Sequence, residues 1–176
     1  MSIRVRYAVY IQGDPKEKMI REPGLHWARD RLSPGPDGQK GFTMTQRHAI
    51  FPEGPTRHAL YDAHGYSPAV RAGDLLFVSG QVGSREDGSP EPTYIAQVER
   101  AFDNLRAVLA AAGCTFDDVI DVSTFHTDPE AQLDDLMSVK QRIFPGAPFP
   151  TWTAVGVTWL AGFDFEIKVV ARIPGA

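Results

Sequence analysis

Phe163-Asp164-Phe165-Glu166-Ile167-Lys168-Val169-Val170-Ala171-Arg172-Ile173 is the stretch whose reading decides the fold. In an extended chain Phe163, Phe165, Ile167, Val169, Ala171 and Ile173 share one face, and Asp164, Glu166, Lys168, Val170 and Arg172 share the other. A period of two with one apolar face marks a β-strand lying on a core. The chain upstream supplies helices to cover that face. After Pro90 and Pro92, Thr93 is placed to cap a helix in which Ile95, Val98, Phe102, Leu105, Val108 and Leu109 recur at helical spacing; Gly113 ends it. Asp128, with Pro129 at the first position and Glu130 in the first turn, opens a second helix. Leu133, Leu136, Met137, Lys140, Ile143 and Phe144 follow, and Gly146 lies past its end. Leu75 to Ser79 is a continuous apolar run suited to a central strand. Ile120 to Thr127 is rich in β-branched residues. The order of strands, helix, strand, helix and strands predicts an α+β domain: a mixed β-sheet with two helices packed on one face.

Composition narrows the chemistry. Residues 1–43 carry 8 Lys+Arg against 5 Asp+Glu, and the remaining residues 10 against 17, within a net charge of −4 over 176 residues. An acidic domain repels phosphate backbones, so no nucleic acid is expected as a partner. Cys114 is the only cysteine. It excludes an internal disulfide and suits a reducing compartment, here the cytoplasm. No apolar run approaches about 18 residues and no signal-like apolar region opens the chain, so no membrane is expected. His48, His58, His64 and His126 show no paired ligand spacing, and one Cys cannot build a zinc knuckle. His126, inside a strand pattern, reads as a packed histidine. Neither a GxGxxG or P-loop motif nor a Ser-centred nucleophile elbow is present. Neither a cofactor nor a metal is expected.

A set of motifs occurs in one order along the chain. They are Gly65-Tyr66-Ser67-Pro68-Ala69-Val70, Leu75-Leu76-Phe77-Val78-Ser79-Gly80-Gln81-Val82, Ala101-Phe102-Asp103-Asn104-Leu105, Leu109-Ala110-Ala111-Ala112-Gly113 and Asp117-Asp118-Val119. Phe149-Pro150-Thr151-Trp152-Thr153-Ala154-Val155-Gly156-Val157 and the last strand complete it. Together they resemble the RidA (YjgF/UK114) family of enamine and imine deaminases. The variant blocks, Val82 to Gly88 and Ala154 to Leu160, look closest to its YjgH branch. The resemblance runs from Met44 to Ala176. It implies a chorismate-mutase-like fold assembled as a homotrimer, with a small-molecule ligand at each subunit interface and no cofactor. It also divides the chain into a RidA-like domain, 44–176, and an N-terminal extension, 1–43, behind the turn-rich break Ser33-Pro34-Gly35-Pro36-Asp37-Gly38. That extension reads either as a translated stretch ahead of the natural start or as a real segment of unknown use.

The resemblance assigns roles residue by residue. Glu166 matches the family's catalytic glutamate, which activates the water that attacks the C–N carbon; a carboxylate whose pKa is raised by burial can serve. The plain alternative is a surface glutamate paired with Lys168, its same-face neighbour. Lys168 stands where the family carries a second Glu and is expected to hold Glu166 ionised, weakening it as a base. Trp152 stands where the family has the arginine that grips a substrate carboxylate. Losing one charged contact of about 3 kcal/mol weakens binding roughly 100-fold. The indole either stacks on a planar ligand or simply fills the vacated space. Ala154, where relatives often carry Cys, would share its face. Tyr66 and Ser79 match residues that wall the cleft. Glu130 falls near an Asn that helps fix substrate, although an acidic residue in a first helical turn also suits the helix dipole. The expected function is hydrolysis of a reactive enamine or imine, other than a simple 2-imino acid, to a carbonyl plus ammonia. The alternative is a non-catalytic trimer that keeps the cleft as a binding site.

Overall fold

The computed structural model describes residues 47–53 and 60–175. The extension read over 1–43 lies outside the described residues. The strands are β1 (His48–Ile50), β2 (Ala69–Ala72), β3 (Leu75–Val78), β4 (Gln81–Val82), β5 (Val119–His126), β6 (Thr151–Gly156) and β7 (Phe165–Arg172). The helices are α1 (Leu60–His64), α2 (Tyr94–Ala111) and α3 (Pro129–Ile143). The strands form one sheet in the order β1-β2-β3-β7-β5-β6, with β4 also on β7. Among the described residues only β5 and β6 pair in parallel, which requires a crossover, and α3 supplies it. The fold is the α+β architecture read from the sequence.

The alternating stretch is the middle strand, β7. Phe165, Ile167, Val169 and Ala171 are each at most 1% exposed, beneath α2. Val98, Ala101, Phe102, Leu105, Val108 and Leu109 complete that layer, also at most 1% exposed. Each large apolar side chain so buried contributes about 1.5–3 kcal/mol. The Thr93 hydroxyl accepts from the Ala96 N–H to cap α2. Gly113, at φ +71°, takes the left-handed turn that leaves it. Asp128 caps α3 with Pro129 in its first turn.

The apolar stripe read on α3 is only half buried. Leu136 is inside, but Leu133 and Met137 are 40% and 51% exposed, and Gln132 and Val139 complete the buried face instead. The cause is position: α3 covers β6, the last strand of the sheet, so it buries a narrower face than α2 does. His126 is packed, as expected. It is fully buried, with Nε2 2.9 Å from the Thr124 hydroxyl and Nδ1 3.2 Å from the Tyr94 hydroxyl, and burial lowers its pKa.

Candidate functional site

The site begins with a break in register. Phe77 faces Val170 and Gln81 faces Ile167, so four steps along one segment oppose three along the other. This is a β-bulge, a device that re-aims side chains. Gly80 lies in it. A Cβ on Gly80 would sit 2.1 Å from Oε1 of Glu166, so the glycine makes room for that carboxylate. Gln81, 4% exposed, donates its amide N–H groups to the carbonyls of Ser79 (3.0 Å) and Gly80 (3.2 Å). Its own Oε1 accepts from the Tyr61 hydroxyl at 3.4 Å. Ser79 donates its hydroxyl to the Ser67 carbonyl (2.7 Å) and its N–H to that of Pro68 (2.8 Å). The bulge is thus held from both sides.

Around it, on the sheet face away from the helices, lies a cavity of about 430 Å³. Val70, Phe77 and Phe125 form apolar walls, Ser79 and Gly80 border it, and Glu166 and Lys168 supply its charges. Burial raises the Glu166 pKa and outweighs the opposing effect of Lys168. Lys168 pulls the carboxylate pKa down, as expected of a nearby ammonium, but burial is the larger cause. The two groups share a strand face, yet among the described residues no ion pair or hydrogen bond engages the Glu166 side chain, so desolvation wins. Tyr66 packs edge-on to Tyr61 at 5.1 Å. Its phenol pKa is raised by burial and then by the charge of Glu166, which places it within electrostatic reach. Ser79 and Glu166 thus border the cavity together, with Tyr66 within electrostatic reach of the carboxylate.

Trp152, Ala154 and Glu130 are elsewhere. Trp152 faces Val122 across the β5–β6 pairing, on the helix side of the sheet. Its ring meets Phe144 edge-on at 5.8 Å and carries the Lys140 ammonium 4.2 Å above it. Its indole N–H donates to the Thr124 hydroxyl at 3.3 Å. Ala154 lies on the same face as Trp152, and Gly156, two residues further along β6, is covered by Pro129. Glu130 stands exposed in the first turn of α3. Within one chain these three do not reach the cavity that holds Glu166.

Sequence reasoning assigned no role to Gly80, Gln81, Phe77 or Phe125. A glycine inside an apolar strand run is a bulge signal. It could have marked Gly80, and the polar Gln81 next to it was the second clue. Phe77 read as core, but the residue is 44% exposed and lines the cavity.

Comparison with known proteins agrees with this geometry. The model of the family described as Endoribonuclease L-PSP matches residues 56–173. The chain is 70% identical over 131 residues to the RutC family protein YjgH of Escherichia coli K12, covering 74% of this chain and 98% of that one. A solved structure of a protein YJGH superimposes with a TM-score of 0.70, at 70% identity over 74% of this chain and 98% of the other. A 2-iminobutanoate/2-iminopropanoate deaminase of Dermatophagoides farinae is 31% identical over 99 residues, 54% of this chain and 74% of its own. Among the described residues no helix is long and apolar enough to cross a membrane. With the bulged mixed sheet, both helices on one face and the motif order all in agreement, the chain belongs to the RidA/YjgF/UK114 (endoribonuclease L-PSP) family, among its YjgH-like members.

Proposed function

We propose that the chain hydrolyses a reactive enamine or imine to a carbonyl compound and ammonia, with Glu166 as the base. The observation that carries this reading is a carboxylate facing a cavity, its pKa raised by burial, with no ion pair or hydrogen bond to its side chain among the described residues. Such a group can take a proton from water as the oxygen adds to an iminium carbon, and return it to nitrogen as the C–N bond breaks. The balance is one iminium and one water in, one carbonyl and one ammonium out. Tyr66 and Ser79 wall the substrate in this reading. The name of the Dermatophagoides farinae relative supports the reaction class. The acidic charge balance argues against the ribonuclease that the family label suggests.

Glu130, Trp152 and Ala154 lie across the sheet from Glu166, so a site uniting all of them needs a second copy of the chain. This supports a homotrimer with its ligand at the subunit interface. A tryptophan engaged by Lys140, Phe144 and Thr124 offers no guanidinium there. The substrate is therefore not a simple 2-imino acid held in the family manner. The buried thiol of Cys114 suits a cytoplasmic setting.

Two measurements on the native protein test this together. Light scattering should give the mass of three chains. Ammonia release from imines generated in place by oxidation of primary amines without a 2-carboxylate should exceed the spontaneous rate, whereas the imines of small amino acids should be hydrolysed poorly or not at all. A monomer would remove the shared site. Ligand binding without rate enhancement would select the non-catalytic alternative, which Trp152 together with Lys168 favours.

A further inference from the structure

We infer that Leu133 and Met137 of α3, with Ala154 and the indole of Trp152, form an apolar specificity wall. A second copy of the chain lays this wall against the cavity that holds Glu166, so the substrate is an imine that carries an apolar group and no carboxylate. The substrate class rests on the proposed hydrolysis at a shared site; the apolar character of the wall does not.

Contacts at both ends fix how α3 lies on β6. Pro129, in the first turn, covers Gly156, and Lys140, about three turns on, holds its ammonium 4.2 Å above the Trp152 ring. On the opposite side of α3, Arg142 reaches Glu99 of α2 at 2.6 Å. The helix from Pro129 to Lys140 spans about 17 Å and the strand from Trp152 to Gly156 about 13 Å, so the two run alongside each other. Leu133 and Met137 fall between those ends, one turn apart, on the side of α3 turned away from α2. Both are exposed. Ala154, also exposed, stands between Trp152 and Gly156 on the same face of β6. Together they line an apolar notch along the free edge of the sheet.

The chemistry of the notch disfavours an anion. Trp152 gives its N–H to the Thr124 hydroxyl at 3.3 Å and a ring face to Lys140, so it presents carbon alone to a ligand. The side chains of Leu133, Met137 and Ala154 have no hydrogen-bond donor. Glu130 and Asp134, each three residues before one of the apolar pair, set two exposed carboxylates at the rim. Such a rim repels a carboxylate and favours the positive charge of an iminium.

The occupant of this edge is a second copy because the two surfaces complement each other. The cavity side shows exposed Phe77 and Lys168, which forms no ion pair among the described residues. The notch shows Leu133 and Met137 with Glu130 and Asp134, which form none either. Apolar surface then meets apolar surface, and the lysine meets the acidic rim.

Ketones probe the wall without turnover. Calorimetric titrations would compare 2-butanone, 4-phenyl-2-butanone and its carboxylated counterpart 2-oxo-4-phenylbutanoate on native, Leu133→Gln, Met137→Gln and Met137→Leu proteins. All three variants should melt within a few degrees of native and keep its mass by light scattering, since both positions are exposed and the new residues are good helix formers. A buried methylene is worth about fourfold in affinity, so the native protein should bind 4-phenyl-2-butanone at least about 10-fold tighter than 2-butanone. It should bind the oxo acid more weakly than the phenyl ketone. Each Gln variant should narrow the phenyl preference about 3- to 10-fold and leave 2-butanone unchanged, whereas Met137→Leu should keep the preference. No binding of the phenyl ketone at millimolar concentration, tighter binding of the oxo acid, or a preference intact in both Gln variants overturns the wall. A native monomer, or variants that fall apart into monomers, would do so too, the second by making the pair a plain subunit contact. Imines made from the matching amines by a flavin amine oxidase carry the test to turnover, and kcat/KM should follow the same order. Within one chain Leu133 and Met137 stand across the sheet from Glu166, so their effect on turnover requires the second copy. Variant-sensitive binding without ammonia release keeps the wall and sinks the hydrolytic reading. Ammonia release indifferent to both Gln substitutions does the reverse.

Discussion

Gly83→Ala is expected to destabilise the protein by about 2–3 kcal/mol, the upper part of the range for overpacking. A Cβ on Gly83 would stand 2.4 Å from both the Cα and the carbonyl oxygen of Gln97. Those are backbone atoms inside α2 and cannot rotate aside, so the helix must shift. Gln97 is 4% exposed, and its amide is paired twice with Asp164: Nε2 donates to Oδ2 (3.0 Å) and Oε1 accepts the Asp164 N–H (2.8 Å). The other Asp164 oxygen accepts from the Thr127 hydroxyl at 3.1 Å, and Gln132 donates to that hydroxyl at 3.2 Å. A shift of α2 therefore strains a hydrogen-bond network that also ties β7 to α3, at about 1 kcal/mol for each buried bond weakened. The melting temperature should fall by roughly 6–15 °C at that cost. An unchanged melting temperature would mean that Gly83 does not approach Gln97 so closely.

Gly80→Ala presents a clash of similar size with a different outcome. Its Cβ would meet Glu166 at 2.1 Å from Oε1, 2.4 Å from Cδ and 2.9 Å from Cγ. These atoms belong to the end of a flexible side chain, and the cheapest relief is to swing the carboxylate out of its place in the cavity. The expected result is a loss of turnover on the scale of removing a general base, about 100-fold or more, with a melting temperature within a few degrees of native. Combining it with Glu166→Gln should cost no further activity, because both changes remove the same group. A Gly80→Ala protein with full turnover would separate the carboxylate's position from catalysis.

Much of the architecture was legible because it rests on period and punctuation. The alternation of β7, the caps Thr93 and Asp128 and the stop at Gly113 each state a local rule that the core then obeys. The half of α3 that faces solvent was not legible, since Leu133 and Met137 keep helical spacing whether or not a neighbour covers them. The candidate site was legible as a list and not as an arrangement. Glu166 and Ser79 border one cavity with Tyr66 in electrostatic reach, whereas Trp152, Ala154 and Glu130 lie across the sheet. That division depends on how β5, β6 and β7 pair, which no local pattern encodes. The balance between burial and Lys168 at Glu166 was hidden for the same reason: desolvation depends on the bulge at Gly80 and on Phe125, opposite Glu166 in the β5–β7 register.

The central claim is that Glu166 acts as a base in the outer-face cavity, and its most direct measurement is ammonia release from freshly generated imine by native and Glu166→Gln proteins across pH. Native turnover should fall as pH drops through a pKa above the ordinary 4.5, because protonation removes the base. Glu166→Gln should release ammonia at the spontaneous rate throughout. It should also be at least as stable as native at neutral pH. A carboxyl whose folded pKa is raised stabilises the fold fully below the unfolded value and loses that contribution as pH rises through the folded one. Replacement therefore removes a cost at neutral pH, and any advantage should vanish toward pH 4.5 and below. Turnover by Glu166→Gln equal to native, in a protein shown to be folded, would contradict the account.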